Sequence, residues 1–361
     1  MMPRSRIWAA LLAGAALLLA CAGAARADTT VVATGAYPKG LLWHGGRMLF
    51  AEMGADRISV IEGGDKRTFW TDPGCGPTSI APFGPSGFLV NCHLGRHVVE
   101  VSSDGVTGRR FRTDPRGASL QDPNASAGDG AGGVYFSDSG AFDTGAPATG
   151  KVYHLAYDGA MKEIAGNLRY ANGVAFDAGT RTLYVSEHLA RRVLALQLDA
   201  GGRVQASAVF ADFAQHAASR EHTHPLAGPD GIALRPGLLA VAEYGEGRVH
   251  LFDRAGRHQR TLAVAMPFVD TVAWDDAGRF FAGGAYSNVL APYEGRVVRL
   301  DPADWQGPEP ATNPQRQADG SILEREVQSE YSRIRIRRQG SLRSMIFVRD
   351  NGEEAYQSQV N

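Results

Sequence analysis

Polar residues recur at one position of a repeated strand pattern in this sequence. Asn172 and Asp230, for example, each open a short apolar strand and are each followed by glycine. The six equivalent residues are Lys39, Thr78, Asn124, Asn172, Asp230 and Asp270. Carboxylate and amide oxygens are hard ligands, which suit calcium or a similar cation far better than zinc. If the repeated units surround one axis, these side chains meet and form a cation site.

Acidic residues end the second strand of several units. They are Glu52, Asp138, Glu187 and Glu243. The repeat predicts that they lie on the same face as the first set, so we take Glu187 as a candidate catalytic carboxylate and Glu243 as a candidate metal ligand. The alternative is that such residues only end strands and bind solvent.

Two histidines, His222 and His224, lie in a long segment before Asp230. We expect this segment to cover the channel, where His222 could shuttle protons or belong to a lid. Exposed loop histidines are the alternative. The sequence contains no G-x-S-x-G pattern of a serine hydrolase.

The strands that position these residues repeat every roughly 40–50 residues. Each unit has an apolar strand, a glycine turn, a second apolar strand and a third strand containing a basic residue and valine, such as Arg192-Val193. Four short strands per unit are typical of a propeller blade. The sequence therefore predicts an all-β, six-bladed β-propeller over residues 28–304. Residues 30–34 are expected to supply the outer strand of the last blade.

The composition and net charge argue against a nucleic-acid-binding protein. The chain has 361 residues, 44 of them glycine, and a formal net charge of −1. A dedicated nucleic-acid binder carries a strong basic excess, so no nucleic-acid partner is expected. The expected partner is therefore a small-molecule substrate or ligand. The sequence leaves the oligomeric state open.

Residues 1–27 resemble a secretory signal peptide, with basic residues, an apolar run and an Ala-Arg-Ala cleavage site. The residues that precede and include Cys21 also fit a lipobox, so a lipid anchor at Cys21 is the alternative. Both alternatives predict a periplasmic or secreted protein without a transmembrane span. In an oxidising compartment the two remaining cysteines, Cys75 and Cys92, are expected to form a disulfide.

Three segments resemble the gluconolactonase and regucalcin family. They read ANGVAF at residues 171–176, GPDGIA at 228–233 and VYFSD at 134–138, and the resemblance covers about residues 37–301. It implies lactone or ester hydrolysis assisted by an axial divalent cation, usually calcium. The matching ligands are Asn124, Asn172 and Asp230.

Lys39 departs from the pattern of this family. It stands where the resemblance implies a metal-binding glutamate, and a charged lysine cannot ligate a cation. Either Lys39 pairs with Asp230 in a metal-free site, or Glu52, Glu187 or Glu243 completes the ligand set. The predicted function is an exported lactone or ester hydrolase, with Asp230 and Lys39 among its catalytic residues. A non-catalytic propeller that binds a ligand or partner is the alternative.

The C-terminal residues follow a different pattern. Residues 305–321 are expected to form a linker, and residues 322–361 a β-hairpin, since YSRIRIRR at 331–338 alternates before a Gln-Gly turn. This part resembles the N-terminal hairpin of spermidine synthase-like proteins, which the chain would carry in truncated form. An accessory propeller of such a fusion is therefore a further alternative function.

Overall fold

A computed structural model describes residues 30–216, 224–289, 291 and 293–300, and the backbone of five strands between residues 315 and 360. Among these residues no helix is long and apolar enough to cross a membrane. Within the described ranges, helical structure is restricted to the short helix Phe213–His216 and the 3-10 turns Met53–Ala55 and His188–Ala190.

Consecutive strands pair antiparallel in groups of four, and we refer to each group as a blade. The first blade contains β2 (Pro38–His44), β3 (Arg47–Glu52), β4 (Arg57–Glu62) and β5 (Asp65–Thr71). The second contains β6 (Pro77–Phe83), β7 (Gly87–Cys92), β8 (His97–Val101) and β9 (Thr107–Phe111). The third contains β10 (Pro123–Gly128), β11 (Val134–Asp138), β12 (Gly150–Leu155) and β13 (Met161–Leu168).

Three further groups follow within the described part of the chain. The fourth contains β14 (Ala171–Asp177), β15 (Thr182–Glu187), β16 (Arg192–Leu198) and β17 (Val204–Asp212). The fifth contains β18 (Gly228–Arg235), β19 (Leu238–Tyr244), β20 (Arg248–Asp253) and β21 (His258–Ala263). The last contains β22 (Phe268–Trp274), β23 (Phe280–Ala285) and β24 (Glu294–Leu300), and its outer strand is β1 (Thr30–Ala36).

Apolar clusters fill the space between neighbouring blades. Leu49 of the first blade packs in one cluster with Phe88 of the second. Phe50 packs in another with Phe281 of the last blade, so the first and last blades are also neighbours. The second and third strands are apolar along most of their length because both faces are covered, as a continuous apolar run indicates. The predicted all-β propeller is confirmed.

A β-bulge interrupts the start of the first strand in every described blade. The register shifts between Pro123 and Ser126, and between Ala171 and Val174, are two examples. The remaining blades shift in the same place. A bulge frees residues from the ladder and re-aims their side chains. The six polar residues of the repeat lie in or beside these bulges.

The C-terminal strands form a sheet of their own. Its order is β25 (Gln315–Arg316), β26 (Ile322–Gln328), β27 (Arg333–Gln339), β28 (Leu342–Val348) and β29 (Glu354–Val360). The expected hairpin corresponds to β27 and β28, which belong to a larger meander. Two residues of the expected linker pair with β26 as β25; its other residues, and the expected signal segment 1–27, lie outside the described residues.

Candidate functional site

The six repeated polar residues surround one narrow channel, and we call them the axial ring. Lys39, Thr78, Asn124, Asp230 and Asp270 line the channel directly. Asn172 precedes Gly173, which also lines the channel, and its side chain is close enough to lower the pKa of the Asp230 carboxyl group. The periodic repeat therefore brings together the residues that it predicted to meet.

Glycines after the ring residues allow the inner strands to approach this closely. A Cβ on Gly173 would lie 2.0 Å from the carbonyl oxygen of Asp230, and one on Gly231 would lie 2.5 Å from that of Asp270. Neither position accommodates a side chain without moving the neighbouring backbone. The glycines thus set the width of the channel.

Lys39 forms a buried ion pair with Asp270. Its Nζ atom donates to Asp270 Oδ1 at 2.7 Å, and the side chains are 11% and 0% exposed. The expectation that Lys39 pairs with Asp230 is wrong, because the first and last blades are neighbours and bring Asp270 against Lys39. Asp230 lies close by and acts on both groups through its charge.

Burial and charge set the ionisation of this cluster. Burial raises the pKa of the Asp270 carboxyl group and that of Asp230, while the Lys39 ammonium opposes this shift. Burial lowers the pKa of Lys39, but the charges of Asp270 and Asp230 outweigh it and raise that pKa overall. Lys39 is therefore positively charged, and the two carboxyl groups compete for a proton or a cation.

Two asparagine side chains of the ring are held by their nitrogen atoms. Asn124 Nδ2 donates to Ser139 Oγ at 3.1 Å, and Asn172 Nδ2 lies 3.2 Å from His188 Nδ1. Among the described atoms, Asn172 Oδ1 and Asp270 Oδ2 are buried and have no hydrogen-bond partner. Buried unpaired oxygens are costly, and these two are of the type that hard cations bind.

His188 supports Asn172 as a neutral imidazole. Burial, with a contribution from the Lys39 charge, lowers the pKa of His188 to about 4. Its Nδ1 also lies 3.0 Å from the Pro229 carbonyl oxygen, and its Nε2 lies 2.8 Å from that of Leu226. A proton on Nε2 is donated to Leu226 and leaves Nδ1 to accept from the Asn172 amide, whereas a proton on Nδ1 is donated to Pro229.

Aromatic side chains lie close enough to the ring for the charges of Asp270 or Lys39 to act on three of their phenols. We call Tyr37, Phe142, Tyr170 and Tyr244 the aromatic rim. Phe142 contacts Tyr170 and Tyr244, with ring centroids 4.7 and 6.1 Å apart. The hydroxyl oxygen of Tyr244 accepts a hydrogen bond from Asn288 Nδ2 at 2.6 Å. Burial, with the Asp270 charge, raises the pKa of Tyr244 to about 12, so its phenol remains a donor at neutral pH.

Backbone strain accompanies this arrangement. Tyr37 and Tyr170 have φ angles of 57° and 61°, a region that bulky residues rarely occupy. Each precedes its ring residue by two positions, as Gly76, also at positive φ, precedes Thr78. The sequence analysis did not identify these tyrosines; their fixed distance from the ring residues was the available signal.

The acidic residues at the second-strand ends lie away from the channel, and we call Glu52, Asp138, Glu187 and Glu243 the lateral carboxylates. Glu187 accepts from the Arg169 N–H and from Arg192, and Glu243 accepts from His250 at 2.8 Å. Strand pairing explains why these carboxylates lie away from the channel while the ring residues face it. Glu187, for example, is paired with Ala171, one residue before the ring residue Asn172. The structure therefore does not bring Glu187 or Glu243 to the axial ring.

Glu52 and Asp138 are likewise bound by protein donors away from the channel. Glu52 pairs with Arg57 and Lys66 at 2.9 and 2.7 Å, and Asp138 accepts from two backbone N–H groups. Each lateral carboxylate thus has protein donors in or beside its own blade. None of them lines the described channel.

The remaining predicted residues have different outcomes. His222 lies outside the described residues, so its role stays a prediction. His224 packs against Tyr244 and Phe268 beside the rim, at centroid distances of 5.5 and 5.4 Å. Cys75 and Cys92 are joined by a disulfide, with Cα atoms 4.5 Å apart.

Comparison with known proteins relates this site to a family. A family model described as the SMP-30/Gluconolactonase/LRE-like region matches residues 37–277. The lactonase drp35 of Staphylococcus haemolyticus is 29% identical over 182 residues, which cover 47% of this chain and 51% of that protein. The lactonase drp35 of Staphylococcus aureus is 32% identical over 130 residues, which cover 36% of this chain and 37% of that protein. The chain thus spans about half or less of the curated relatives' length.

Solved structures share the fold. A calcium-binding regucalcin from Agrobacterium tumefaciens superposes with a TM-score of 0.62 at 18% identity, covering 76% of this chain and 93% of that one. A gluconolactonase from Xanthomonas campestris superposes with a TM-score of 0.58 at 20% identity, covering 76% of this chain and 88% of that one. At these identities the likeness concerns the architecture.

Proposed function

Because the chain belongs to the SMP-30/gluconolactonase/LRE-like family, we propose that it hydrolyses a lactone or a related ester at the mouth of its axial channel. The observation that carries the proposal is the axial ring itself, in which charged and amide groups are buried close to the aromatic rim. Perturbed ionisable groups gathered in one concave site are typical of active sites. The lactonases and the gluconolactonase among the relatives support this substrate class.

The ring residues fit a divalent cation. Asn172 Oδ1 and Asp270 Oδ2 are buried oxygens without a donor, and Asp230 and Asn124 supply further oxygens on the same channel. We propose that these four residues would hold the cation, and that it is calcium because every donor is a hard oxygen. A bound cation of this kind polarises an ester carbonyl and lowers the pKa of a water. The relative described as calcium-binding supports this choice.

Asp230 is the proposed general base. Its carboxyl group is buried, and burial raises its pKa towards the range in which it can both accept and release a proton. A carboxylate oxygen of Asp230 would take the proton of the attacking water. The Lys39 ammonium, held by Asp270, contributes positive charge where the carbonyl oxygen of the substrate becomes negative.

The aromatic rim would orient the substrate and restrict water. Phe142 and Tyr244 offer ring faces to a flat cyclic ester, and the buried phenol of Tyr170 stays protonated because burial raises its pKa. Phenol donors suit the carbonyl and hydroxyl oxygens of a small lactone. This favours a compact ring substrate over an extended polymer.

The test is hydrolysis of five- and six-membered lactones, followed by acid release at constant pH with and without calcium. Asp230→Asn is expected to lower kcat/KM at least about a hundredfold, in the range observed for general acid–base groups. Asp138→Asn is the matched control, since Asp138 is a buried carboxylate off the channel. Folding of each variant is checked by thermal denaturation.

An equal effect of the two substitutions on activity, with both proteins folded, would refute the assignment of Asp230. Absence of hydrolysis by the unsubstituted chain, combined with saturable lactone binding, would favour the non-catalytic binding propeller. The experiment thus separates catalysis from ligand binding.

Export is part of the same proposal. We infer from the sequence pattern of residues 1–27 that the protein is periplasmic or secreted, either cleaved after Ala27 or lipidated at Cys21. Mass spectrometry of the N-terminus of the protein recovered from cell fractions distinguishes these two forms. A protein that retains residues 1–27 in the cytoplasmic fraction would refute export.

A further inference from the structure

A second cluster of metal-binding residue types surrounds the disulfide, away from the axial ring. Asp72, Cys92 and His97 place a carboxylate oxygen, Sγ and a ring nitrogen within 4.8 Å of one another. Cys75 adds a second sulfur through its bond to Cys92. We call these four residues the thiol cluster.

Strand pairing holds the cluster together. Cys92 ends β7 and His97 begins β8, and the two residues are directly paired across the strands. Asp72 and Cys75 lie in the segment between β5 and β6, where the Cys75 N–H donates to the Asp72 carbonyl oxygen at 3.0 Å. The four side chains are therefore positioned by backbone contacts as well as by the disulfide.

His97 is oriented as a metal ligand would be. Its Nδ1 lies 2.8 Å from the carbonyl oxygen of Gly95 and 3.5 Å from Arg112 Nη1. With the proton on Nδ1, the ring donates to the nearer Gly95 oxygen and keeps the lone pair on Nε2. Nε2 is buried, has no hydrogen-bond partner in the described part of the chain, and lies 3.8 Å from Asp72 Oδ2. A backbone carbonyl bound to the other ring nitrogen is the usual support of a metal-bound histidine.

One separation between candidate ligand atoms is close to that of tetrahedral coordination. Ligand atoms at about 2.0–2.3 Å from zinc are about 3.3–3.8 Å from one another, close to the distance between His97 Nε2 and Asp72 Oδ2. Asp72 also accepts from Arg110 Nη2 at 2.7 Å. This contact keeps Asp72 ionised but uses one of its lone pairs.

We propose that the thiol cluster is a redox-gated site for a thiophilic divalent cation of the zinc class. In the oxidised protein both sulfurs are bonded to each other and unable to act as thiolates. A dithiol reductant supplies two electrons and two protons, the Cys75–Cys92 bond breaks, and the reductant becomes a disulfide. On metal binding the Cys92 thiol loses its proton and joins His97 Nε2 and Asp72 as a ligand, and the released Cys75 thiol, once deprotonated, would supply the fourth.

Cobalt(II) is a suitable probe, because tetrahedral thiolate ligation gives it characteristic visible and near-ultraviolet absorption. The protein is the full chain carrying Cys21→Ser, which leaves only the two cysteines of the cluster. We expect the reduced protein to bind one cobalt ion with a thiolate charge-transfer band and zinc to displace it. The oxidised protein should show no such band.

His97→Gln tests the geometry. It is expected to weaken binding of cobalt to the reduced protein at least about tenfold, whereas His154→Gln, a histidine paired with Asp129 elsewhere, should not change it. Cys75→Ser provides a folded form without reductant, in which three ligands remain. Circular dichroism verifies that each protein retains its β structure.

Two results would overturn the proposal. One is a folded, reduced protein that gives no thiolate–cobalt absorption. The other is equal cobalt affinity of the His97→Gln and unsubstituted proteins.

Discussion

Replacing Lys39 by methionine removes the positive charge from the axial ring while keeping the length of the side chain. We expect calcium to bind more tightly to this variant than to the native chain, because Lys39 and the cation compete for Asp270. Lys39→Glu should bind more tightly still, since it adds a carboxylate ligand.

The expected magnitude follows from the ion pair. Unit charges 2.7 Å apart, as Nζ and Oδ1 are, attract by about 6 kcal/mol at an effective dielectric constant near 20. Desolvation offsets much of this in a buried pair, and we take about a third, ~2 kcal/mol, as the effect on cation binding. That corresponds to about thirtyfold tighter binding by Lys39→Met.

Calorimetric titration with calcium measures the affinities directly. The matched control is Lys66→Met, which breaks an ion pair of the same length between Lys66 and Glu52, away from the channel. A second readout is thermal stability without calcium. Lys39→Met should be less stable than the native chain because Asp270 loses its partner, and calcium should restore stability to the variant.

Tight calcium binding by the native chain, with no gain in either Lys39 variant, would refute the competition. The lactone hydrolase proposal would survive that result, because it rests on Asp230 and the family. Equal gains in the Lys39 and Lys66 variants would instead indicate a nonspecific effect of net charge.

Three further outcomes are expected. Burial raises the pKa of Glu52, but hydrogen bonds from Arg57 and other donors outweigh it and lower that pKa to about 2. The resulting stabilisation, about 3 kcal/mol, should be complete above about pH 5 and lost towards pH 2. The free energy of unfolding of Glu52→Gln, measured by denaturation, should lack this dependence on pH. Glu243→Gln should cost about 1 kcal/mol, because the neutral amide oxygen of Gln accepts a weaker hydrogen bond from His250 than the carboxylate does. Calcium affinity measured by calorimetry should be unchanged, and a fall in affinity would restore Glu243 as a ligand. Cys75→Ser opens a loop of 17 residues and should lower the free energy of unfolding by about 3 kcal/mol in urea.

Periodicity made the axial ring predictable. Residues such as Asn124 and Asn172 occupy the same register in successive units, and equivalent positions of a propeller converge on its axis. Packing of the inner strands does not require polar residues at this position, so their presence indicated a site. The ring therefore followed from the sequence without knowledge of any distance.

The lateral carboxylates show where the same argument fails. Glu187 and Glu243 also recur in register, but side chains one residue apart on paired strands leave the sheet in different directions. The bulge beside Asn172 turns that residue towards the axis and leaves Glu187 beside Arg192. A bulge depends on the tertiary approach of neighbouring strands, which spacing alone does not encode.

Residues 30–34 were expected to close the ring, but the spacing of the repeat did not decide between Asp230 and Asp270 as the partner of Lys39. Asp270 is 231 positions away in the chain, and the linear repeat makes Lys39 and Asp270 the two ends of a series. Only a closed ring makes them neighbours. The rim tyrosines were missed for a related reason, because Tyr37 and Tyr170 act through a strained backbone that residue type alone does not reveal.

The pairing of β1 with β24 also determines the order in which the molecule can be completed. Thr30 lies opposite Arg299, so the first strand to be synthesised remains without its partner until the last propeller strand exists. Closing so long a loop is slow compared with forming a local hairpin. The nascent protein thus keeps an unpaired sheet edge until residue 300 has been synthesised.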